Sequence, residues 1–239
     1  LPDIPPHNLN ETVKACIKLL NEPKTSLEEL FKILPGPDYP TEAEIVTPQE
    51  ELLEIYKTGR GSIKMRSTFE VVEGEIVVTA LPHQTPSTKV LEQIASQMEA
   101  KKLPMIVDLR DEGDEENPTR LVLVPKSNRV DKEAVMNHLF ATTDLEKNFR
   151  VNMNMIGLNG KPQVLDLKSI LKQWLKYRTD TITRRLQHRL DWVMDRIHIL
   201  EGLMVVYLNI EEVIKIIRTE DDPKKVLQKK FKLSSIQVD

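Results

Sequence analysis

The sequence has one cysteine, Cys16, in 239 residues. A single thiol excludes an internal disulfide and any cysteine-rich metal site, and it fits a reducing cytosol. Long hydrophobic runs are missing too: none approaches the roughly 18–20 residues that a membrane span needs. The opening Leu1-Pro2-Asp3-Ile4-Pro5-Pro6 has neither the basic flank nor the apolar stretch of a signal peptide. Catalytic signatures are equally scarce. Neither G-x-x-x-x-G-K-[ST] nor G-x-G-x-x-G occurs, so nothing argues for nucleotide binding. No Ser, Cys or Lys sits in a nucleophile motif. His7, His83, His138, His188 and His198 share no ligand spacing, which assigns them to structure or surface. An excess of charge of one sign is also lacking: 34 Lys+Arg stand against 37 Asp+Glu, a formal net charge of −3. That balance does not exclude a nucleic-acid binder, because binding depends on where the charges sit.

What is present fits one large or two small domains with a real core. Charged residues make up 30% and the hydrophobic class 40%, which argues against a chain disordered throughout. The charge is unevenly distributed. Acidic residues dominate the first fifty positions, and a second acidic block holds Asp108, Asp111, Glu112, Asp114, Glu115 and Glu116. That block lacks the ordered spacing of an EF-hand, so it reads as a solvated loop. Opposed to it are Lys57 to Arg66 (KTGRGSIKMR), with four bases and no acid, and Lys168 to Arg196, with eight bases and three acids.

Hydrophobic periodicity places these segments on elements. Val13, Ile17 and Leu20 fall at helical spacing, with Cys16 on the apolar side of that helix. A short helix starts at Thr25 or Ser26 and carries Leu27, Leu30 and Phe31. Thr47-Pro48-Gln49-Glu50 has the form of a capping box and predicts a helix to about Lys57. From Ile63 to Thr68 the period changes to two, predicting a strand with one basic face. Glu73-Gly74 reads as a hairpin turn into Ile76–Thr79, followed by a helix from Ser87 to Ala100 and strands at 104–109 and 120–124. Asp131 caps a further helix, and Val151–Ile156 with Gln163–Leu165 form a second hairpin. The interleaving predicts an α+β fold.

Beyond Asp166 the chain changes character. No proline occurs between Pro162 and Pro223. Ile182, Leu186, Leu190, Val193, Ile197, Leu200 and Met204 step by threes and fours, as a coiled-coil seam does. A helix to Leu208 spans roughly 60 Å at 1.5 Å per residue. Such a rod has to meet another segment or another chain, and the sequence supplies no return rod, so it reads as a piece of something larger. Arg178, Arg185, Arg189 and Arg196 lie along one stripe of it, flanked by Arg184. These guanidinium groups suit either phosphate contacts or salt bridges to a partner rod. Arg60, Lys64 and Arg66 are better suited to DNA, since Gly59 and Gly61 allow close backbone approach and alternate strand residues present charge on one face.

These segments also resemble a known family. IPPHNL (Ile4 to Leu9), GPDYPTEAEI (Gly36 to Ile45) and YKTGRGSIKMR (Tyr56 to Arg66) are similar to the A subunits of bacterial type IIA topoisomerases. ALPHQ (Ala80 to Gln84), KKLPM (Lys101 to Met105), ENPTRLVLVPKSNRVD (Glu116 to Asp131), VMNHLFATTDLEK (Val135 to Lys147) and NMIGLNG (Asn154 to Gly160) resemble the topoisomerase IV branch. Gyrase more typically has proline-tyrosine where Pro82-His83 stands. The resemblance covers essentially the whole chain; Leu1-Pro2 fits it less well and reads as a non-native remnant.

The resemblance implies a connecting segment over residues 1–29, a tower domain over 30–165, a coiled-coil rod over 166–208 and the start of the exit gate over 209–239. It implies that the nucleophilic tyrosine, which follows an arginine in the family, lies upstream: none of Tyr39, Tyr56, Tyr177 or Tyr207 follows one. The expected role is non-catalytic support of the gate DNA segment within an isomerase. Expected partners are double-stranded DNA, a second copy of the A chain, and the topoisomerase IV B chain (ParE) in an A2B2 holoenzyme. ATP and magnesium are expected on the B chain, with no cofactor on this one. The expected location is the bacterial cytoplasm, on the chromosome. Arg60, Lys64 and Arg66 are the candidate DNA contacts, with Arg184 and Arg185 as a weaker second set.

Overall fold

The computed structural model describes residues 3–239; Leu1 and Pro2, and with them the reading of that pair as a remnant, lie outside the described residues. The architecture is α+β, as expected. The chain divides into two compact units, the first running to Leu175 and the second from Lys176 to Asp239.

The first unit opens with α1 (Leu9–Asn21), whose Asn8 side chain accepts from the Asn10 and Glu11 N–H groups. Its buried side is Ala15, Cys16 and Leu19, whereas Val13, Ile17 and Leu20 are exposed. Next comes α2 (Leu27–Phe31), closed by a reciprocal capping box between Ser26 and Glu29. After the two-residue strand β1 (Glu44–Ile45), α3 (Gln49–Thr58) begins without a side-chain cap. The capping box read at Thr47 does not form: the Thr47 hydroxyl accepts from the Lys64 N–H at 2.7 Å instead. Thr47 is buried and stitches the helix start to the neighbouring strand. Thr47→Ala should cost about 1–3 kcal/mol, because it leaves the part-buried Lys64 N–H without its acceptor, and Thr47→Ser should recover most of that in urea unfolding.

That strand is β2 (Arg60–Arg66), followed by the hairpin β3 (Thr68–Val72) and β4 (Glu75–Ala80). Glu73 and Gly74 turn the hairpin with positive φ of 52° and 93°. Then follow α4 (Ser87–Glu99), β5 (Ile106–Asp111), β6 (Leu121–Pro125), α5 (Lys132–Thr142), β7 (Glu146–Asn152), β8 (Asn154–Ile156) and β9 (Pro162–Val164). Three antiparallel sheets result, ordered β1-β2-β7, β3-β4-β6-β5 and β8-β9. Two cores form beneath them. One joins α1, α2 and α3 to β2 and β7 through Leu19, Leu30, Ile55, Tyr56, Ile63, Met65 and Val151. The other packs α4 and α5 on the four-stranded sheet through Val90, Ile94, Ile76, Val78, Leu123 and Leu139.

The 42-residue helix α6 (Leu167–Leu208) supplies Leu167 and Leu171 to the first core. In the second unit it is followed by α7 (Ile210–Thr219), α8 (Pro223–Phe231) and α9 (Ser235–Val238). Val213, Ile216 and Leu227 form a small core there. The seam residues from Ile182 to Met204 stay 37–62% exposed. Near its end, Gln237 donates to the His198 carbonyl at 2.6 Å and covers Gly202, where a Cβ would lie 2.8 Å from the Gln237 Cβ.

Candidate nucleic-acid interface

Strand alternation builds the site. In β2 the inward residues Ile63 and Met65 are fully buried, while Arg60, Ser62, Lys64 and Arg66 occupy the opposite face. The β2–β7 register sets Arg60 opposite Asn152, Ser62 opposite Arg150, Lys64 opposite Asn148 and Arg66 opposite Glu146. Directly opposed residues share a face, so Asn152, Arg150 and Asn148 extend this face across a second strand, and Glu146 puts a carboxylate at its Arg66 end. On the other side β1 sets Glu44 opposite Arg66. The face therefore holds four cations against two carboxylates, and both carboxylates lie at the Arg66 end.

The cations are not equivalent. Arg66 is held by Glu146 at 2.6 Å and lies 4.8 Å from the centre of the Phe140 ring. It also lines a cavity of about 300 Å³ together with Glu44 and Glu133. Lys64 reaches the same Glu146 more loosely, at 3.4 Å. Arg60 and Arg150 are exposed and have no ion-pair partner among the described residues. Lys57, from the same basic stretch, is drawn to Glu28 at 3.3 Å.

The glycines serve the protein itself. Gly59 ends α3 at φ 70°, and a Cβ there would lie 2.5 Å from the Leu165 carbonyl oxygen. At Gly61 a Cβ would lie 2.3 Å from Ile55 Cγ1. The close backbone approach expected of these residues is thus to α6's lead-in and to α3.

Arg184 and Arg185 are exposed on α6 in the second unit and have no ion-pair partner among the described residues. The structure brings Arg60, Lys64 and Arg66 together on one strand and leaves these two on a separate unit. Sequence reading missed Arg150, Asn148 and Asn152. Their signal was the alternation of Phe149 and Val151 with polar residues, a weak pattern in a strand with only two strong hydrophobes.

The acidic block is organised around Arg110, which meets Glu75 at 2.8 Å and Glu112 at 2.9 Å, with Arg120 reaching Glu112 at 3.3 Å. Among the described residues no group of three or more His, Cys, Asp or Glu is arranged to hold a metal. A cavity of about 910 Å³ is lined by residues that include Glu42, Glu70, Glu116 and Arg120, with neither histidine nor cysteine among them. Burial pushes the Tyr39 phenol up to about 12 and raises that of Tyr56 further, so both stay protonated near neutrality. Among the described residues no helix is long and apolar enough to cross a membrane.

Comparison with known proteins places this architecture. Residues 2–239 match the family described as the A subunit of DNA gyrase/topoisomerase IV. The chain is 60% identical over 237 residues to the DNA topoisomerase 4 A subunit of Salmonella typhimurium, and 61% identical to that of Haemophilus influenzae. The Escherichia coli K12 protein of the same name is 59% identical. Each alignment covers 99% of this chain and 32% of the relative, so the chain spans about a third of the length of these curated relatives. With a match from end to end and these identities, the chain belongs to the DNA gyrase/topoisomerase IV A-subunit family.

Proposed function

We propose that this chain is a non-catalytic tower and coiled-coil portion of the DNA breakage-reunion subunit of topoisomerase IV. Residues 30–165 act as the tower, 166–208 as the rod and 209–239 as the start of the exit gate. The tower supports the gate DNA segment while a second duplex passes through, in the decatenation and supercoil relaxation carried out by an A2B2 holoenzyme with ATP and magnesium on its B chains. The observation that supports this reading is the outer face of β2, where Arg60 and Lys64 stand exposed above a buried apolar underside. Contacts of this kind bind backbone phosphate without reading sequence.

A structural rod-and-hub role without DNA contact is the second reading, favoured by the exposed apolar seam from Ile182 to Met204. Binding of duplex DNA to the full-length protein over a salt series separates the two. Each phosphate neutralised contributes about −0.9 to the slope of log affinity against log salt. Arg60→Ala/Lys64→Ala should flatten the slope by up to about 1.8. An unchanged slope leaves the rod-and-hub reading.

A further inference from the structure

The β2–β7 register adds a cation that no strand pattern in β2 reveals. Arg150 lies directly across from Ser62, with Arg60 and Lys64 as its two diagonal neighbours. Diagonal neighbours in an antiparallel pair are about 7–8 Å apart, so three cations surround one serine. That spacing is between backbones, and like charges carried on such neighbouring side chains repel. Elsewhere in the first unit the guanidinium groups of Arg66, Arg110 and Arg120 have carboxylate partners, while Arg129, in the loop after β6, is exposed and has no ion-pair partner among the described residues. Arg60 and Arg150 have none among the described residues, and Asn148 beside them is exposed. A self-repelling, solvent-facing cluster flanked by neutral donors suits a polyanion.

At the other end of the face the pattern reverses. The Glu146 side chain is only 15% exposed, meets Arg66 at 2.6 Å and Lys64 at 3.4 Å, and lies opposite Arg66 in the register. Glu44 stands on the far side of Arg66. The carboxylates satisfy one end of the strand and leave the other open.

Resting on the DNA-supporting reading above, we infer that Arg150 is a further phosphate-contacting residue of the β2–β7 face, and that Glu146 is the counter-ion that withdraws Arg66 from the phosphate track and limits Lys64. The track is carried by Arg60 and Arg150, continues weakly to Lys64 and stops before Arg66. Its ligand is the sugar-phosphate backbone of duplex DNA.

The test is duplex binding by the full-length protein over a salt series, with single variants. Arg150→Ala should reduce the log–log slope by about 0.9, as Arg60→Ala does, and Arg150→Lys should restore it because the contact is one of charge. Arg66→Ala should leave the slope unchanged. Glu146→Gln should steepen the slope by about 0.9 or more, since it releases Arg66 and Lys64. Thermal unfolding of each variant identifies any loss that comes from misfolding, and the Arg150→Lys rescue keeps the test decisive if Arg150→Ala is unstable. If Arg60→Ala flattens the slope and Arg150→Ala does not, the inference about Arg150 fails while the DNA-supporting reading stands. If Arg66→Ala flattens it as much as Arg60→Ala, or Glu146→Gln leaves it unchanged, the role given to Glu146 fails. If no variant changes the slope, the DNA-supporting reading itself falls.

Discussion

Tyr56→Ala should destabilise the first unit by about 3–5 kcal/mol, the range for removing a large aromatic from a packed core. Tyr56 is 1% exposed and meets the rings of Phe31 and His7, with centroids 5.9 and 5.7 Å away. Its hydroxyl is the second part of its contribution. His7 Nδ1 lies 2.9 Å from the Pro5 carbonyl, which can only accept, so Nδ1 carries the proton. His7 Nε2 is then an acceptor, and the Tyr56 hydroxyl donates to it at 2.8 Å. Tyr56→Phe keeps the ring and removes that donor, so it should cost about 1–3 kcal/mol in chemical denaturation.

Burial of the same histidine makes stability depend on pH. Burial lowers the His7 pKa, against smaller opposing contributions from the Pro5 carbonyl and Asp38. The unfolded chain takes up this proton near the ordinary histidine value of about 6.5, while the folded chain resists it until lower pH. His7 therefore contributes its full stability above about pH 6.5, and that contribution is lost as pH falls toward the folded value. The urea midpoint should drop over that window, and His7→Gln should flatten the drop.

Gly61→Val should disrupt the seat of β2 on α3 and lower stability by about 3 kcal/mol, the upper end of the usual cost of overpacking. The obstacle is Ile55, whose Cγ1 lies 2.3 Å and Cδ1 2.9 Å from where a Cβ would stand. Ile55 is β-branched and 5% exposed, so it has little freedom to rotate away. Even Gly61→Ala meets this clash and should cost about 1–3 kcal/mol. Adding Ile55→Ala to it should give a favourable coupling energy in a double-mutant cycle, since the cavity left by one change accommodates the other. Gly160 is a control: its φ is +73° but nothing lies within 4 Å, so Gly160→Ala meets backbone strain alone, about 1 kcal/mol. Because Gly61 sits between Arg60 and Ser62, its substitution should also weaken whatever the outer face binds.

Much of this fold was legible in the sequence. The hairpin around Glu73-Gly74, the helix capped by Asp131 and the long helix from Leu167 each carry a strong local signal, and each forms. Three features were not legible, for separate physical reasons. In α1 the large residues Val13, Ile17 and Leu20 dominate the pattern, yet they stay exposed; Cys16 is buried, as its place on the apolar side predicts, and it is Ala15 and Leu19 that join it against the core. At Thr47 a local cap competed with a partner 17 residues away, and the longer-range bond to Lys64 prevailed. Strand β7 has one solvated face and only Phe149 and Val151 as strong hydrophobes, so its pairing with β2 rests on tertiary context. That last omission bears most on function. Arg60, Lys64 and Arg66 could be read as a basic strand from their own alternation, but Arg150 and the restraining Glu146 enter only through the register.

The most direct test is a structure of the full-length protein bound to a bent duplex. The account predicts backbone phosphate oxygens about 2.7–2.9 Å from the guanidinium nitrogens of Arg60 and Arg150, with Arg66 still paired to Glu146. A duplex held elsewhere on the protein, with the β2–β7 face left to solvent, would contradict it.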